Sequence, residues 1–345
     1  MVYDIHNDIV EIIKRLNPEF AEFRNKSICI TGGTGFFGKW LLEILCYLNE
    51  VMGYEIKIYV VTRNIRLFLE SDNNHTFKSR IRFIEGDVRS FSLEKIKIDY
   101  LIHMATTAAT ETFGGQDQLD KLDLLYAGTR HALQEAVNAG VSKVLFTSSG
   151  VAYGSSSGDF FAESHLTAPQ TNLVSSALGE GKRVAEYLIA YYSDRYDYQY
   201  SIARCFSFFG PYLPLDIHYA IGNFVNDALT KSEIIVKGGG NELRSYLYIA
   251  DAWSWLLKLM LNVDNQIYNV GSSKAISIGD LAKLIRDIIS PSKSVRILGL
   301  EHDIGNFNRN VYVPNNQKIC EKFDLDEWTP LDIGIRKWIR DVVNM

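Results

Sequence analysis

The stretch Ile28-Cys-Ile-Thr-Gly-Gly-Thr-Gly-Phe-Phe-Gly38 decides the fold of this chain, because spaced glycines stand between an apolar run and an amphipathic one. Its first three residues suit a buried parallel strand, and the apolar residues that follow Gly38 recur at helical spacing. Gly32 can take the tight turn, Gly35 lets the backbone approach a phosphate, and Gly38 allows the helix to pack closely on the strand. The stretch therefore predicts a strand, a turn and a helix.

This order of elements predicts a dinucleotide-binding site. The N-terminus of a helix offers unpaired N–H groups and the positive end of the helix dipole to phosphates. We expect the diphosphate of the cofactor to contact the turn and the first helical residues, which are Gly32, Thr34, Gly35, Phe36, Phe37 and Gly38.

Composition and charge argue against several other classes of protein. The chain has 345 residues, of which 47% are hydrophobic, a formal net charge of -5 and a pI near 5.9. Because the charges are interspersed, no nucleic-acid surface is indicated. The four cysteines lie far apart, so neither a disulfide framework nor a metal site is predicted. Without a signal-peptide pattern or a run of about eighteen apolar residues, we expect a cytoplasmic protein with no membrane contact.

Strand and helix patterns alternate through the first part of the chain. After the first strand, the predicted elements are strands at Lys57–Val61, Ile81–Glu85, Tyr100–Met104, Lys143–Phe146 and Tyr200–Arg204, and helices at Leu119–Asn138 and Ser176–Asp194. This alternation indicates an α/β fold with a doubly wound parallel sheet.

The patterns also predict a division of the chain into three parts. Residues 1–25 carry an N-terminal amphipathic helix, and residues 26–210 form the dinucleotide-binding domain. The pattern loosens afterwards, so residues 211–345 are interpreted mainly as a smaller substrate-binding lobe over the sheet edge where ligands bind. One strand near residues 266–271, Gln266–Val270, is expected to return to the main sheet.

The end of the second strand bears on the choice of cofactor. Dinucleotide folds often place an acidic residue there to accept hydrogen bonds from the adenosine ribose. This chain has Thr62-Arg63-Asn64 instead, and Arg63 can pair with a 2′-phosphate. The sequence therefore favours NADP over NAD.

Later strand ends offer further contacts to the cofactor. Asp87, followed by Val88, can face the adenine amino group, and the small residues from Ala105 onward let the backbone come near the cofactor. His103 lies in the apolar fourth strand. A single histidine in that setting is interpreted as a hydrogen-bonded core residue and not as a catalytic one.

Seven groups of residues follow one another in a recognisable order: Thr31-Gly-Gly-Thr-Gly-Phe-Phe-Gly38, Gly86-Asp87-Val88, His103-Met-Ala105, Ser148-Ser149 with Tyr153-Gly154, Ala203-Arg204 with Phe209-Gly210-Pro211, Arg244-Ser-Tyr-Leu-Tyr248 with Asp251, and Tyr268-Asn269-Val270-Gly271. In this order and spacing they resemble the extended short-chain dehydrogenase/reductase family, specifically its nucleotide-sugar epimerase and dehydratase branch. The resemblance covers nearly the whole chain after the N-terminal helix.

The resemblance implies a particular catalytic group. In this family a serine or threonine, a tyrosine and a lysine four residues later act together on a sugar hydroxyl and the nicotinamide. Ser149 would orient the substrate oxygen, and Lys182 would bind the nicotinamide ribose and lower the pKa of the tyrosine. In this chain Leu178 stands where the tyrosine is expected, and leucine cannot exchange a proton.

Three interpretations of Leu178 stay open. The chain is an engineered variant that traps substrate, although phenylalanine is the more usual choice for that purpose. Alternatively another residue takes the proton, with Lys182, Tyr153 and Glu111 as candidates. Or the chain binds cofactor and sugar nucleotide without turnover, as a regulator or degenerate subunit.

The residues between Ser149 and Tyr153 bear on the type of reaction. Family members that eliminate water place an acid and a base there, typically Asp-Glu, whereas this chain has Gly-Val-Ala. The resemblance therefore implies hydride transfer at C4 of a hexose or heptose on a nucleoside diphosphate, by an epimerase, 4-ketoreductase or dehydrogenase. A 4,6-dehydratase is the runner-up.

The resemblance also implies where the substrate and a second copy of the chain bind. Two guanidinium groups suit a diphosphate, because each can fork onto phosphate oxygens. The substrate-binding residues implied by the family are Thr107, Ser149, Asn223, Arg244 and Arg309. The helices predicted at Leu119–Asn138 and Ser176–Asp194 would pair with their copies in a homodimer.

Overall fold

A computed structural model describes residues 5–71, 77, 80–106, 115, 117–155, 160–215, 219–299 and 310–343. In chain order the strands are β1 (Ser27–Thr31), β2 (Lys57–Thr62), β3 (Arg82–Glu85), β4 (Tyr100–His103), β5 (Lys143–Ser149), β6 (Gln199–Cys205), β7 (Phe208–Phe209), β8 (Glu233–Val236), β9 (Leu243–Arg244), β10 (Leu247–Tyr248), β11 (Gln266–Val270), β12 (Ile276–Ser277), β13 (Ser294–Ile297) and β14 (Val311–Tyr312). The helices are α1 (His6–Leu16), α2 (Phe36–Met52), α3 (Ile65–Glu70), α4 (Gln118–Asn138), α5 (Ala177–Tyr196), α6 (Ala220–Thr230), α7 (Ile249–Leu261), α8 (Ile278–Ile289), α9 (Gln317–Phe323) and α10 (Leu331–Val343).

Seven strands form one parallel sheet, in the order β11-β6-β5-β4-β1-β2-β3. The predicted α/β fold with a doubly wound parallel sheet is thus confirmed. The strand order reverses between β1 and β4, which is the switch point beside which ligands bind in such sheets. β11 forms one edge of the sheet through its parallel pairing with β6.

Apolar side chains cover both faces of the main sheet. Along β1, Ile28 and Ile30 join one cluster with α2 and α7, while Cys29 joins the other cluster with α4 and α5. This alternation follows from the two-residue period of a strand. Because both faces are covered, the strand residues form a nearly continuous apolar run in the sequence.

Helix α1 packs its apolar side on the body of the protein. Ile9 and Ile12 are buried in the cluster that contains α2 and α7. On the same helix the buried Asp8 accepts hydrogen bonds from Tyr248 Oη at 2.7 Å and Lys337 Nζ at 2.6 Å. The N-terminal helix is thereby joined to β10 and α10. The division of the chain near residues 25 and 210 stays a prediction.

The end of β5 differs from its prediction by three residues, whereas the other strand ends of the main sheet lie within one residue of theirs. The sequence predicts an end at Phe146, but β5 continues to Ser149 and pairs with β6 along its whole length. Thr147 and Ser148 do not continue the apolar pattern, yet both are buried because neighbouring elements cover them. The extension places Ser149 at the carboxyl edge of the sheet.

In the part of the chain that the structure describes, three small sheets lie outside the main one. They consist of β7 with β10, of β8 with β13, and of β9 between β12 and β14. Within the described residues, no helix has the length and apolar character needed to cross a membrane. The same part of the chain holds no group of three or more His, Cys, Asp or Glu side chains able to bind a metal ion.

Candidate active site

The glycine turn after β1 has no room for larger residues at two positions. Gly32 has a φ of 73°, and a Cβ on it would lie 2.7 Å from the carbonyl of Met104. A Cβ on Gly38 would lie 2.1 Å from the carbonyl oxygen of Gly33. The start of α2 thus packs closely on the turn, and apolar residues further along α2 share a cluster with Ile28 and Ile30 of β1. Both contacts involve backbone, which cannot move aside.

Gly35 leaves open space in front of α2. The nearest atom to a Cβ on Gly35 would be the carbonyl oxygen of Gly32, at 3.7 Å. Gly35 is also the N-cap residue of α2, and no described side chain caps the N–H groups that follow it. Open space and uncapped N–H groups together fit the diphosphate of a dinucleotide.

The other residues predicted in this turn have partly structural roles. Phe36 and Phe37 contact each other edge-on at 5.5 Å between ring centroids, and Phe37 also packs on Phe208 at 5.0 Å. Thr34 is half-buried. The rings of the two phenylalanines anchor the start of α2 in the core, which leaves their N–H groups as the parts that can face a phosphate.

An ion pair that the sequence did not reveal occupies the adenine side of the predicted site. Asp87 accepts a hydrogen bond from Arg89 Nε at 2.8 Å, and this contact holds the pKa of Asp87 below its ordinary value. Arg89 also reaches Asp123 at 2.8 Å. Arg63 is exposed after β2, and its charge acts on Asp87 in the same direction. Val88 is buried against Gly128 of α4.

A chain of hydrogen bonds fixes the end of β4. His103 Nδ1 lies 2.6 Å from Thr31 Oγ1, and His103 Nε2 lies 3.0 Å from Thr129 Oγ1. The same Thr31 hydroxyl accepts a hydrogen bond from the N–H of Ala105 at 3.2 Å. Burial, aided by the charge of Lys182, lowers the pKa of His103 to about 3. The interpretation of His103 as a hydrogen-bonded core residue is confirmed.

Ser149 and Lys182 lie at the carboxyl end of β5. Ser149 is the last residue of that strand, and its Oγ accepts a hydrogen bond from Val151 N at 3.3 Å. Lys182 is buried in α5, and its Nζ donates to the carbonyl oxygen of Thr147 at 2.7 Å. Burial lowers the pKa of Lys182 to about 8. A lysine with this pKa is still mostly an ammonium ion at neutral pH, so it acts first as a donor.

Leu178 lies in the first turn of α5, one turn before Lys182, and is half-buried. This turn of the helix is pressed against the short 3₁₀ turn at Gly150–Tyr153, since a Cβ on Gly179 would lie 2.8 Å from the carbonyl oxygen of Val151. Leu178 brings no polar atom to this place. Proton transfer at the site therefore requires a different side chain.

A buried polar network lies behind the site and was missed by the sequence analysis. Glu186 binds Arg204 through two contacts, at 2.9 Å and 2.6 Å, and also accepts a hydrogen bond from Ser148 Oγ at 2.5 Å. The guanidinium of Arg204 lies 4.4 Å from the ring centroid of Tyr153. Two features of the sequence could have revealed this network. Glu186 stands one helical turn after Lys182, and Arg204 is a charged residue in an otherwise apolar strand.

This network bears on Tyr153 as a candidate for the missing base. Tyr153 is fully buried, and its hydroxyl donates to Asn269 Oδ1 at 2.9 Å. Burial raises the pKa of Tyr153. A buried phenol that already donates to an amide is poorly suited to accept a proton from a substrate.

Besides Ser149 at the end of β5, the described substrate residues Asn223 and Arg244 lie on elements outside the main sheet. Asn223 is half-buried in α6. Arg244 lies in β9, half-buried, where its Nη1 donates to the carbonyl oxygen of Leu243 at 2.8 Å and burial lowers its pKa. In the pairing of β9 with β14, Arg244 stands beside Tyr312. The remaining predicted residues lie outside the described part of the chain, namely Thr107, Glu111 and Arg309.

A glycine turn at the switch point, with Ser149 at the end of β5 and the buried Lys182 beside it, defines an α/β protein with a dinucleotide-binding edge. The model of the NAD dependent epimerase/dehydratase family matches residues 28–271. The chain therefore belongs to the NAD dependent epimerase/dehydratase family.

Curated relatives of known name resemble the chain over most of its length. UDP-glucuronic acid decarboxylase 5 of Arabidopsis thaliana is 28% identical over 284 residues, which cover 82% of this chain and 80% of the relative. UDP-glucuronic acid decarboxylase 1 of Xenopus tropicalis is 24% identical over 325 residues, which cover 92% of this chain and 72% of the relative.

Solved structures share the fold at low sequence identity. UDP-glucose 4-epimerase of Thermotoga maritima has a TM-score of 0.77 at 20% identity, with 92% of this chain and 99% of the other covered. The dTDP-glucose 4,6-dehydratase of Streptomyces venezuelae, with NAD bound, has a TM-score of 0.76 at 21% identity, with 92% and 97% covered. These neighbours include both epimerases and dehydratases, so the shared fold does not choose between the two reactions.

Proposed function

We propose that this protein is a nucleotide-sugar oxidoreductase or epimerase that acts at C4 of a hexose or heptose on a nucleoside diphosphate. One observation carries the proposal: the glycine turn after β1 and the Ser149–Lys182 pair at the end of β5 lie at the same edge of the sheet. The register supports this, because Thr31 pairs with His103 and His103 pairs with Phe146. Cofactor and sugar would therefore meet at this edge.

The cofactor of the proposed reaction is a nicotinamide dinucleotide. The open space at Gly35 and the uncapped N–H groups of α2 would hold its diphosphate, and Lys182 would hold its nicotinamide ribose by hydrogen bonds. A bound nicotinamide would supply the hydride acceptor and donor for the reaction at the sugar carbon. Ser149 would orient the sugar hydroxyl with its own hydroxyl group.

We also propose a preference for NADP over NAD, carried by Arg63. The family is described as NAD dependent, and Arg63 is the specific feature of this chain that favours the phosphorylated form. Fluorescence titration of the unmodified protein with each dinucleotide tests the proposal. Tighter binding of NAD than of NADP would contradict it.

The sugar nucleotide would bind against the later part of the chain. Arg244 is the described guanidinium we assign to the diphosphate, and its half-buried position strengthens a charge-assisted hydrogen bond. We propose Asn223, Thr107 and Arg309 as further contacts. The names of the curated relatives, UDP-glucuronic acid decarboxylases, support a nucleoside-diphosphate sugar as the substrate.

The turn that follows Ser149 favours epimerisation or oxidoreduction over dehydration. All residues of this turn, Gly150–Tyr153, are buried, and none of them has a carboxylate side chain. Gly150, Val151 and Ala152 have no group that can protonate a departing hydroxyl or remove the C5 proton. The 4,6-dehydratase reaction is therefore the second candidate.

The direct test is incubation with UDP-glucose, UDP-glucuronic acid and dTDP-glucose, each with NAD or NADP. Mass spectrometry and NMR identify sugar products, while absorbance reports the reduced nicotinamide. We expect turnover of at least one of these sugars. Tight cofactor binding without any turnover would instead favour a regulatory subunit, for which Leu178 is the observation in support.

The variant Leu178→Tyr distinguishes the interpretations of the missing tyrosine. If another side chain carries the proton, kcat should change by less than about tenfold, since general acid–base catalysis is already supplied. A rise of about 10²-fold or more would mean that leucine disables an otherwise complete site. Val174→Tyr, at a position 79% exposed in the preceding 3₁₀ turn, is the control for adding a phenol nearby.

A further inference from the structure

Two elements contact the turn at Gly150–Tyr153 from different sides. The first turn of α5, which contains Leu178, touches it through Gly179 and Val151. On another side, a Cβ on Gly150 would lie 2.8 Å from the hydroxyl oxygen of Tyr312. The phenol of Tyr312 therefore comes close to the residue that directly follows Ser149.

The position of Tyr312 is fixed by backbone pairing. It lies in β14, which pairs with β9. The residues just after it are joined to Phe161, because Phe161 N donates to Val313 O at 2.9 Å and Asn315 N donates to Phe161 O at 2.7 Å. Hydrogen bonds on both sides of the segment keep the Tyr312 side chain beside the Ser149 turn.

Aromatic contacts hold the ring of Tyr312 from the core side. Its centroid lies 4.8 Å from that of Phe206 and 6.2 Å from that of Phe161. Phe206 is buried, whereas Tyr312 is only partly buried. The apolar part of the ring is thus packed, and water or a ligand can still reach the residue.

A positive charge stands next to this phenol. Arg244 is the register partner of Tyr312, and the electrostatic interaction with Tyr312 raises the pKa of Arg244 against the larger lowering by burial. The guanidinium of Arg244 and the phenol of Tyr312 therefore belong to directly paired residues of neighbouring strands. Tyr246, which also interacts electrostatically with Arg244, is buried.

We propose that Tyr312 is the catalytic proton carrier of this protein and replaces the tyrosine that is absent at position 178. This inference rests on the proposed function. The phenolate oxygen of Tyr312 takes the proton from the sugar hydroxyl held by Ser149, and the hydride leaves the same carbon for the oxidised nicotinamide dinucleotide. The hydroxyl becomes a carbonyl, and the phenol returns the proton when the carbonyl is reduced. Atoms and electrons balance in both directions.

Kinetics of conservative variants test the chemical part of the inference. Tyr312→Phe keeps the ring packing on Phe206 and removes only the hydroxyl. We expect kcat to fall by about 10²-fold to 10⁴-fold, with a smaller change in KM. The control variant Tyr47→Phe removes a hydroxyl in the C-terminal half of α2 and should keep the activity of the unmodified protein.

Rescue separates a lost proton carrier from a damaged fold. Adding Leu178→Tyr to Tyr312→Phe places a phenol one turn before Lys182, and we expect it to restore kcat by about tenfold or more. Unreduced kcat in Tyr312→Phe would overturn the inference. A fall that Leu178→Tyr does not relieve would also overturn it.

A measurement without turnover tests whether Tyr312 meets the sugar. Tetranitromethane nitrates accessible tyrosines, and mass spectrometry locates the nitrated residue. UDP-glucose, UDP-glucuronic acid or dTDP-glucose should slow nitration of Tyr312 at least about threefold more than the matching nucleotide without sugar, because the sugar covers the phenol.

The two proposals fail in distinguishable ways. Turnover by a protein whose Tyr312 is no better protected by the sugar nucleotide than by the nucleotide would overturn only the role of Tyr312. Binding of all these nucleotides without any turnover would overturn the proposed function and, with it, the role of Tyr312.

Discussion

At the scale of single residues, His103 shows how burial in the core keeps a side chain uncharged. Its two ring nitrogens face the hydroxyls of Thr31 and Thr129, and burial lowers its pKa from 6.5 to about 3. The unfolded chain takes up a proton near the ordinary value, whereas the folded protein does not until near pH 3. Between these two pH values the unfolded state binds more protons, so the free energy of unfolding decreases as the pH falls.

Because of His103, we expect the free energy of unfolding to be about 2 kcal/mol lower at about pH 5 than at about pH 7. Denaturant titrations at both pH values measure this difference in the free energy of unfolding, and His103→Gln should not show it. The control variant His165→Gln changes a half-buried histidine in a loop, and it should show the same pH-dependent decrease as the unmodified protein. Equal pH dependence in all three proteins would contradict a neutral His103.

Residues recognised by local pattern could be predicted, and residues defined by distant partners could not. Gly32, Ser149 and Lys182 each follow or precede an apolar segment at a recognisable spacing. The pair of Glu186 with Arg204 and the approach of Tyr312 to Gly150 depend on strand register and on the small sheet of β9 and β14. A single sequence gives no information about which residues oppose each other across strands that lie far apart in the chain.

At the scale of elements, the apolar pattern predicted the strands of the main sheet better than their ends. β5 runs through Thr147 and Ser148 because the ladder to β6 and the cover from α5 matter more than side-chain polarity. Strands of two residues, such as β9 and β14, are too short to show any period. For this reason the sheet that brings Arg244 and Tyr312 together was not predicted.

The start of α2 allows cofactor binding and folding to be separated with two alanine variants. Gly35→Ala meets no atom nearer than 3.7 Å, so we expect it to keep the stability of the unmodified protein. Its methyl group would enter the space assigned to the diphosphate and weaken dinucleotide binding by at least about tenfold. Titration with the dinucleotide and thermal unfolding provide the two measurements.

Gly38→Ala is the matched comparison in the same turn. Its Cβ would lie 2.1 Å from backbone oxygen, so we expect a loss of stability of about 1–3 kcal/mol together with the loss of binding. If Gly35→Ala binds the dinucleotide as tightly as the unmodified protein, the diphosphate does not lie where we propose.

At the scale of the whole molecule, the cofactor turn is connected directly to the later part of the chain. The indole N–H of Trp40, in α2, donates to the carbonyl oxygen of Pro211 at 2.9 Å. Tyr212, which follows, has a φ of 71°, an unusual conformation for a bulky residue. The helix that would bind the diphosphate thus contacts the segment leading to α6. A ligand between the two parts would be held by elements that already touch each other.

The outer surface of α4 and α5 leads to the last prediction, which concerns assembly. These two helices pack on each other over the main sheet, and α5 exposes Tyr187 and Tyr191, which are 66% and 45% accessible and stack on each other with ring centroids 6.1 Å apart. Exposed adjacent aromatic rings on a helix are typical of a surface that a partner covers. We propose that a second copy of the chain covers this surface in a symmetric dimer.

Analytical ultracentrifugation of the unmodified protein should give the mass of two chains at micromolar concentration. Tyr187→Lys combined with Tyr191→Lys places four like charges at the centre of the symmetric interface, and we expect it to give single chains. Val51→Lys, at a position 63% exposed on α2, introduces the same kind of charge on another helix and should leave the dimer intact. A single-chain mass for the unmodified protein, or a dimer that persists in the double variant, would show that this surface is not the interface.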